Sequence, residues 1–273
     1  MLLSARRTPL PWALLGLLFP AASPARAWSP TVHQDVTAKA IETLPKPLKA
    51  FYEAHKLEMP SLAPDAEPAA EGLDRRFAVD RVKPFPFTDL PHTEAAFKEA
   101  AGETGKDAGR LPWLILENHQ RLIDAFKSGD KTRILTESDT LSQLVADLHN
   151  PLALTDNADG QKTEQHGLWI RFTTKLPEAM HSKLKLDPDA AHLLDDPRSF
   201  IFSVINGTYV WLDNLLYEEE LSKRGKSGYT EIYFDDLAAR VGPIMRARLS
   251  EAAGRAGSFW YTAWTTAGRP ELK

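Results

Sequence analysis

The 273-residue chain has no cysteine. That excludes disulfides and thiolate metal sites alike, so any metal must be held by His, Asp, Glu or main-chain donors. A basic surplus is missing too: 33 Lys and Arg stand against 37 Asp and Glu, a net charge of -4. Such a balance gives no field of the kind that holds a phosphate backbone, and nucleic acid is not favoured as a partner. Strand-like alternation is nearly absent, no internal repeat is visible, and neither a Ser-His-Asp arrangement nor a glycine-rich phosphate loop stands out. The apolar run Trp12 to Phe19 covers only eight residues, where a membrane-crossing helix needs about 20. No transmembrane anchor is therefore expected.

What is present reads as helices. Residues 1–27 carry the marks of a secretory signal peptide: Arg6 and Arg7, then the apolar run, then Ala25-Arg26-Ala27 as a small-x-small cleavage site. The mature chain would begin at Trp28 and be secreted or periplasmic. Its length and 43% apolar content suit one all-α domain over residues 28–273. Ser29-Pro30 is a good helix start, followed by Val32, Val36, Ala40 and Leu44 at four-residue steps. Further helices are expected near 48–56, 93–101, 112–126 and 132–149. Others follow over 168–180, with Pro177 as an interruption, over 197–222 as one buried helix, and over 233–252 and 259–267. The Pro60 to Gly72 stretch is irregular by composition.

The stretch Leu141 to Gly160, LSQLVADLHNPLALTDNADG, organises the rest. Leu141, Leu144, Val145 and Leu148 mark a buried helical face, Pro151 stops the helix, and Asp156, Asn157, Asp159 and Gly160 supply turn chemistry. The last group lacks a closing glutamate for a calcium loop, so turn formation is its expected role. His149, two residues past Asp147, points away from it and is expected to bond a loop carbonyl.

The run VADLHNPLALTDNADGQ, with LPWLILENHQRLIDAF before it and Gly-Leu-Trp-Ile-Arg-Phe after it, resembles the zinc-dependent phospholipase C family and its relatives, the three-zinc single-strand-specific nucleases. Trp28 directly after the cleavage point and the C-terminal FWYTAW segment match as well. The resemblance implies an all-α, multi-helix domain and phosphoester hydrolysis. It also implies a zinc held by the amine and carbonyl of Trp28, by His33 and by Asp147. That site would exist only once cleavage has freed the amine.

At the second zinc position the resemblance implies Asp65 and Asp147, but its imidazoles fall on Arg75 or Arg76 and on Gln143. At the third, two imidazoles and an acid fall on Ala153, Trp169 and Thr173. Arginine does not give up its proton to ligate a metal, and Gln is a poor zinc ligand. His92, after the proline-rich run, and His166, in the loop expected to face the site, are the imidazoles placed to reach inward and compensate. Carboxylates left beside an emptied metal position repel one another unless a cation replaces the ion, and Arg75 or Arg76 is the expected replacement. The chain reads as a member with degraded metal sites: a pseudoenzyme keeping one zinc at most, and binding an unidentified phosphoester-containing ligand or a protein. The alternative is a slow metal-dependent hydrolase with Trp28, His33 and Asp147 around one ion. Asp147 and Asp65 would then be the catalytic carboxylates, Asp65 as helper ligand or base.

Overall fold

The computed structural model describes residues 27–63 and 75–272. Asp65 and the expected signal segment, apart from Ala27, lie outside them. Among the described residues the regular structure is entirely helical, as the sequence implies. No described helix is long and apolar enough to cross a membrane.

Helix α1 (Pro30–Thr43) opens as expected: the Ser29 hydroxyl accepts the Val32 N–H at 3.4 Å, and Pro30 takes the first turn. Helix α2 (Lys46–His55) follows, then α3 (Glu94–Ala101) capped by Thr93. The hairpin of α4 (Leu111–Ser128) and α5 (Lys131–Leu148) turns on Gly129, which adopts φ 70° so that its N–H can close the end of α4. Asp130 accepts the Arg133 N–H at 3.1 Å and starts α5 immediately. So short a connection forces the two helices antiparallel.

The 168–180 segment is three pieces: α6 (Leu168–Ile170), a π-helical turn at Arg171–Lys175, and α7 (Leu176–Met180). Pro177 sits in the first turn of α7, where its missing N–H costs nothing. The single helix expected over 197–222 is two, α8 (Pro197–Tyr209) and α9 (Leu212–Lys223). Nor is α8 buried all round, because Ser199, Ser203 and Gly207 form an exposed stripe. Conversely, the two helices expected near the C-terminus are one, α10 (Glu231–Thr266), with Pro243 inside it.

Helix α5 is the element on which the others converge, packing against α4, α1, α10 and α8. One apolar cluster gathers Tyr52, Phe77, Phe126, Leu144, Phe202 and Trp260. A second gathers Trp28, Val36, Ala146, Leu168, Phe172, Leu249 and Ala252. Between them runs a buried polar stripe of α5: Ser138, Asp139, Ser142, Gln143 and Asp147. Buried polar groups persist only when hydrogen-bonded, so this stripe dictates what must pack on it.

Candidate functional site

Asp139, Gln143 and Asp147 lie four residues apart on α5 and therefore share one face. Helix α1 runs antiparallel along that face and answers it group by group. His33 Nε2 donates to Asp147 Oδ1 at 2.9 Å, and Thr37 Oγ1 meets Ser142 Oγ at 2.6 Å. Farther along, the Tyr52 hydroxyl reaches Ser138 Oγ at 2.6 Å, beneath the Trp260 ring.

Asp147 is fully buried. Its second oxygen belongs to Arg75, whose Nε donates to Oδ2 at 2.7 Å and whose Nη2 lies 2.6 Å from the same atom. Of the two arginines left open by the sequence, Arg75 is the one that faces the carboxylate. A charge-assisted contact of this kind compensates a carboxylate removed from water, provided the geometry is close.

Gln143 turns the other way, donating from Nε2 to Asp139 Oδ2 at 2.9 Å. Asp139 Oδ1 accepts the Ser61 N–H at 3.2 Å and a very short bond from the Ser61 hydroxyl. Burial nevertheless pushes the Asp139 carboxyl above the usual range, against the pull of these donors. Ser61 and Arg75 thus anchor the two flanks of residues 64–74 to α5, one on Asp139 and the other on Asp147.

The other described positions nominated by the resemblance are linked to this site by direct contacts, Asp65 lying outside the described residues. The buried Trp28 indole donates to the Ala146 carbonyl at 2.9 Å and packs on Phe172, with ring centroids 5.2 Å apart. Ala27 O accepts from Asn150 Nδ2 at 2.6 Å, and the Ser29 N–H donates to Thr173 O at 3.0 Å. Thr173 Oγ1 donates to the Trp169 carbonyl at 2.8 Å. The Arg76 guanidinium lies over the Trp169 ring, 5.5 Å from its centroid. The Phe77 N–H donates to Ala153 O at 2.8 Å. Trp28, His33, Arg75, Arg76, Asp147, Ala153, Trp169 and Thr173 therefore belong to one neighbourhood at the C-terminal end of α5. Gln143, a turn earlier, is directed away from it.

The two imidazoles considered as replacements stand elsewhere. His92 lies flat on Phe202 at 4.1 Å between centroids, and His166 is exposed. His149 does not bond a loop carbonyl, contrary to expectation. Its Nδ1 lies 2.7 Å from the Val145 carbonyl one turn back, and Nε2 takes Arg255 Nη1 at 2.8 Å. With a cation donating to Nε2, the proton must sit on Nδ1 and the ring must be neutral; burial and Arg255 both hold its pKa well below the ordinary value. The turn residues do form turns. Asp159 accepts the N–H groups of Gly167 and Trp169, both at 3.0 Å, and so fixes the start of α6.

Sequence reasoning missed two networks, the first half-buried and the second buried. Asp80 accepts the Asp156 N–H at 2.8 Å, the Tyr209 hydroxyl at 3.1 Å and a short bond from Thr155, tying the loop after α5 to the rest. Arg171 pairs with Glu219 at 2.8 Å, while Tyr233 and Gln165 donate to the same carboxylate. The only prior signal for the second was an arginine inside the apolar run Leu-Trp-Ile-Arg-Phe.

The donor chemistry decides how far the implied zinc ions fit. At the second position Arg75 takes the Asp147 oxygen an ion would need, Gln143 points away, and the residues do not fit. At the third, Ala153, Trp169 and Thr173 offer a methyl, an indole and a hydroxyl already bonded to a carbonyl, and again do not fit. Among the described residues, no three His, Asp or Glu side chains form a metal-holding group. At the first position the fit is partial. His33 Nε2 and Asp147 Oδ1 are 2.9 Å apart, near the separation of about 3.3 Å between neighbouring ligands of a tetrahedral zinc. Trp28 would add main-chain donors there, and a bound ion would acidify a water molecule. Compared with protein-family models and with curated proteins, the chain matches none.

Proposed function

We propose that this chain is a secreted or periplasmic protein of the zinc phospholipase C and nuclease type in which an Arg–carboxylate pair stands in for metal, and that it acts by binding rather than by hydrolysis. One observation carries the reading: Arg75 sits on Asp147 Oδ2 at 2.7 Å while His33 holds Oδ1. With a permanent cation on Oδ2, that oxygen is closed to a second ion, and Oδ1 is already shared with His33. Phosphoester hydrolysis by paired ions needs both attacking and leaving oxygens stabilised, and this arrangement offers no seat for the pair. The convergence of the nominated positions on the end of α5 supports the family reading, since those residues are far apart in sequence.

The convergence of His33 and Asp147 beside Trp28 favours a second reading, a slow hydrolase with one ion. A chromogenic phosphodiester separates the two. The mature protein, beginning at Trp28, is assayed with added zinc and again with chelator. No turnover above buffer is expected in either case. Zinc-dependent turnover that chelation abolishes and Asp147→Asn removes would establish the one-ion hydrolase instead.

A further inference from the structure

Two buried N–H donors at this site have no acceptor among the described residues. Arg76 Nε is enclosed and makes no hydrogen bond, and the indole Nε1 of Trp169, a residue only 3% exposed, makes none either. The two side chains face each other, with the guanidinium carbon 5.5 Å from the centre of the indole ring. An uncompensated buried donor is costly, so two on side chains in contact point to an acceptor that the described residues do not provide.

The backbone holds both in position. The Arg76 carbonyl accepts the Leu111 N–H at 3.2 Å, the adjacent Phe77 N–H is fixed to Ala153 O, and the Trp169 N–H is fixed to Asp159. The neighbouring carboxylates are already engaged. Asp156 takes Lys162 at 2.7 Å and Arg81 at 3.2 Å, and Asp80 is filled by Thr155, Tyr209 and the Asp156 N–H. Burial disfavours the Arg76 cation, and Asp156 and Asp80 offset this only by their field across space.

We infer that Arg76 and Trp169 form the floor of a binding site for a compact oxyanion, free or at the end of a larger ligand, with the guanidinium edge and the indole N–H as paired donors. A guanidinium stacked on an aromatic face and presenting a planar fork of donors is suited to phosphate or carboxylate oxygens. An indole N–H can only donate, which sets the sign of the ligand atom it receives. This gives a chemical class to the ligand in the binding reading above and deepens it, yet it uses none of the groups on Asp147.

The test is a titration of the mature, chelator-treated wild-type chain with inorganic phosphate and, separately, with acetate. It is followed through the Arg76 side-chain N–H and the Trp169 indole N–H by nitrogen–proton correlation spectroscopy. Both resonances should shift together and saturate with phosphate, and a phosphomonoester that saturates at lower concentration would identify a ligand-borne group rather than the free ion. Arg76→Gln should abolish the Trp169 shift, and Trp169→Phe should weaken binding by about tenfold, the loss of one charge-assisted donor. Arg76→Lys, which keeps the charge without the fork, should retain weak binding. Wild-type resonances unmoved by any of the three anions would overturn the inference and leave the Arg75–Asp147 reading standing. Phosphate bound only after zinc is added, with shifts at His33 instead, would overturn both.

Discussion

At the scale of single residues, the account turns on Arg75. Removing it strands Asp147, fully buried, with one oxygen unanswered, and breaking such a pair costs about 3–5 kcal/mol. Arg75→Ala should lower the urea midpoint accordingly, whereas Arg75→Ala combined with Asp147→Asn should cost clearly less than the two single changes added together. Additivity of the two would mean that the contact carries no energy. Two histidines make a separate prediction. Burial drives His119 down to about 4, and His149 is neutral between Val145 and Arg255. Both have folded-state pKa values below their unfolded values near 6.5, so the unfolded chain binds more protons and stability is lost as pH falls below about 6.5. For His119 the loss approaches about 3 kcal/mol by pH 4. Buried Asp139, with its pKa raised, works in the opposite sense. Urea midpoints between pH 7 and 4.5 should fall, and His119→Leu should flatten that fall; an unchanged slope in the variant would refute the assignment. Much of this residue-level detail was legible in the sequence. Asp147, His33 and Trp28 were singled out and do come together, and an arginine beside Asp147 was expected on charge grounds. Which arginine, and which way Gln143 would turn, depended on side-chain directions that spacing does not fix.

At the scale of elements, short amphipathic helices with clear caps were legible, and α1, α4 and α5 came out within a few residues of their expected bounds. The two failures have opposite causes. Ala253-Gly254-Arg255-Ala256-Gly257-Ser258 looks like a break because small residues usually end helices, but in α10 they mark close approach. A methyl group added at Gly254 would come 3.0 Å from the Asp189 carbonyl, and one at Gly257 would collide with Thr43 of α1 and come 3.2 Å from the Ala40 carbonyl. Helix α10 needs no side chain there because α1 and the 187–194 segment lie against its backbone, with Ser250, Ser258 and Thr262 hydroxyls accepting the N–H groups of Asp187, His192 and Leu194. Gly257→Ala should therefore destabilise the protein by about 1–3 kcal/mol despite the better helix propensity of alanine. Thermal denaturation checks it, and a rise in melting temperature would mean that α1 is not held so closely. The opposite error, one helix drawn across Val210 and Trp211, arose because hydrophobicity continues through the break. Apolar content alone does not distinguish one buried helix from two that meet at an angle.

At the scale of the whole molecule, the helices bring the N-terminal end of α1, the end of α5 and the 168–175 turn to one place, through contacts spanning more than a hundred residues of sequence. The packing that converges on Asp147 rests on Trp28, Phe172 and Ala146. The positions that the resemblance assigns to ligands hold groups that satisfy other polar groups: a guanidinium on the carboxylate, an amide on Asp139, a hydroxyl on a carbonyl. Zinc analysis of the chain produced from Trp28, with no preceding tag, separates the binding reading from the hydrolase reading. The result expected is one zinc per chain at most, unchanged by excess zinc, whereas a stoichiometry near three would contradict the replacement of metal by Arg75.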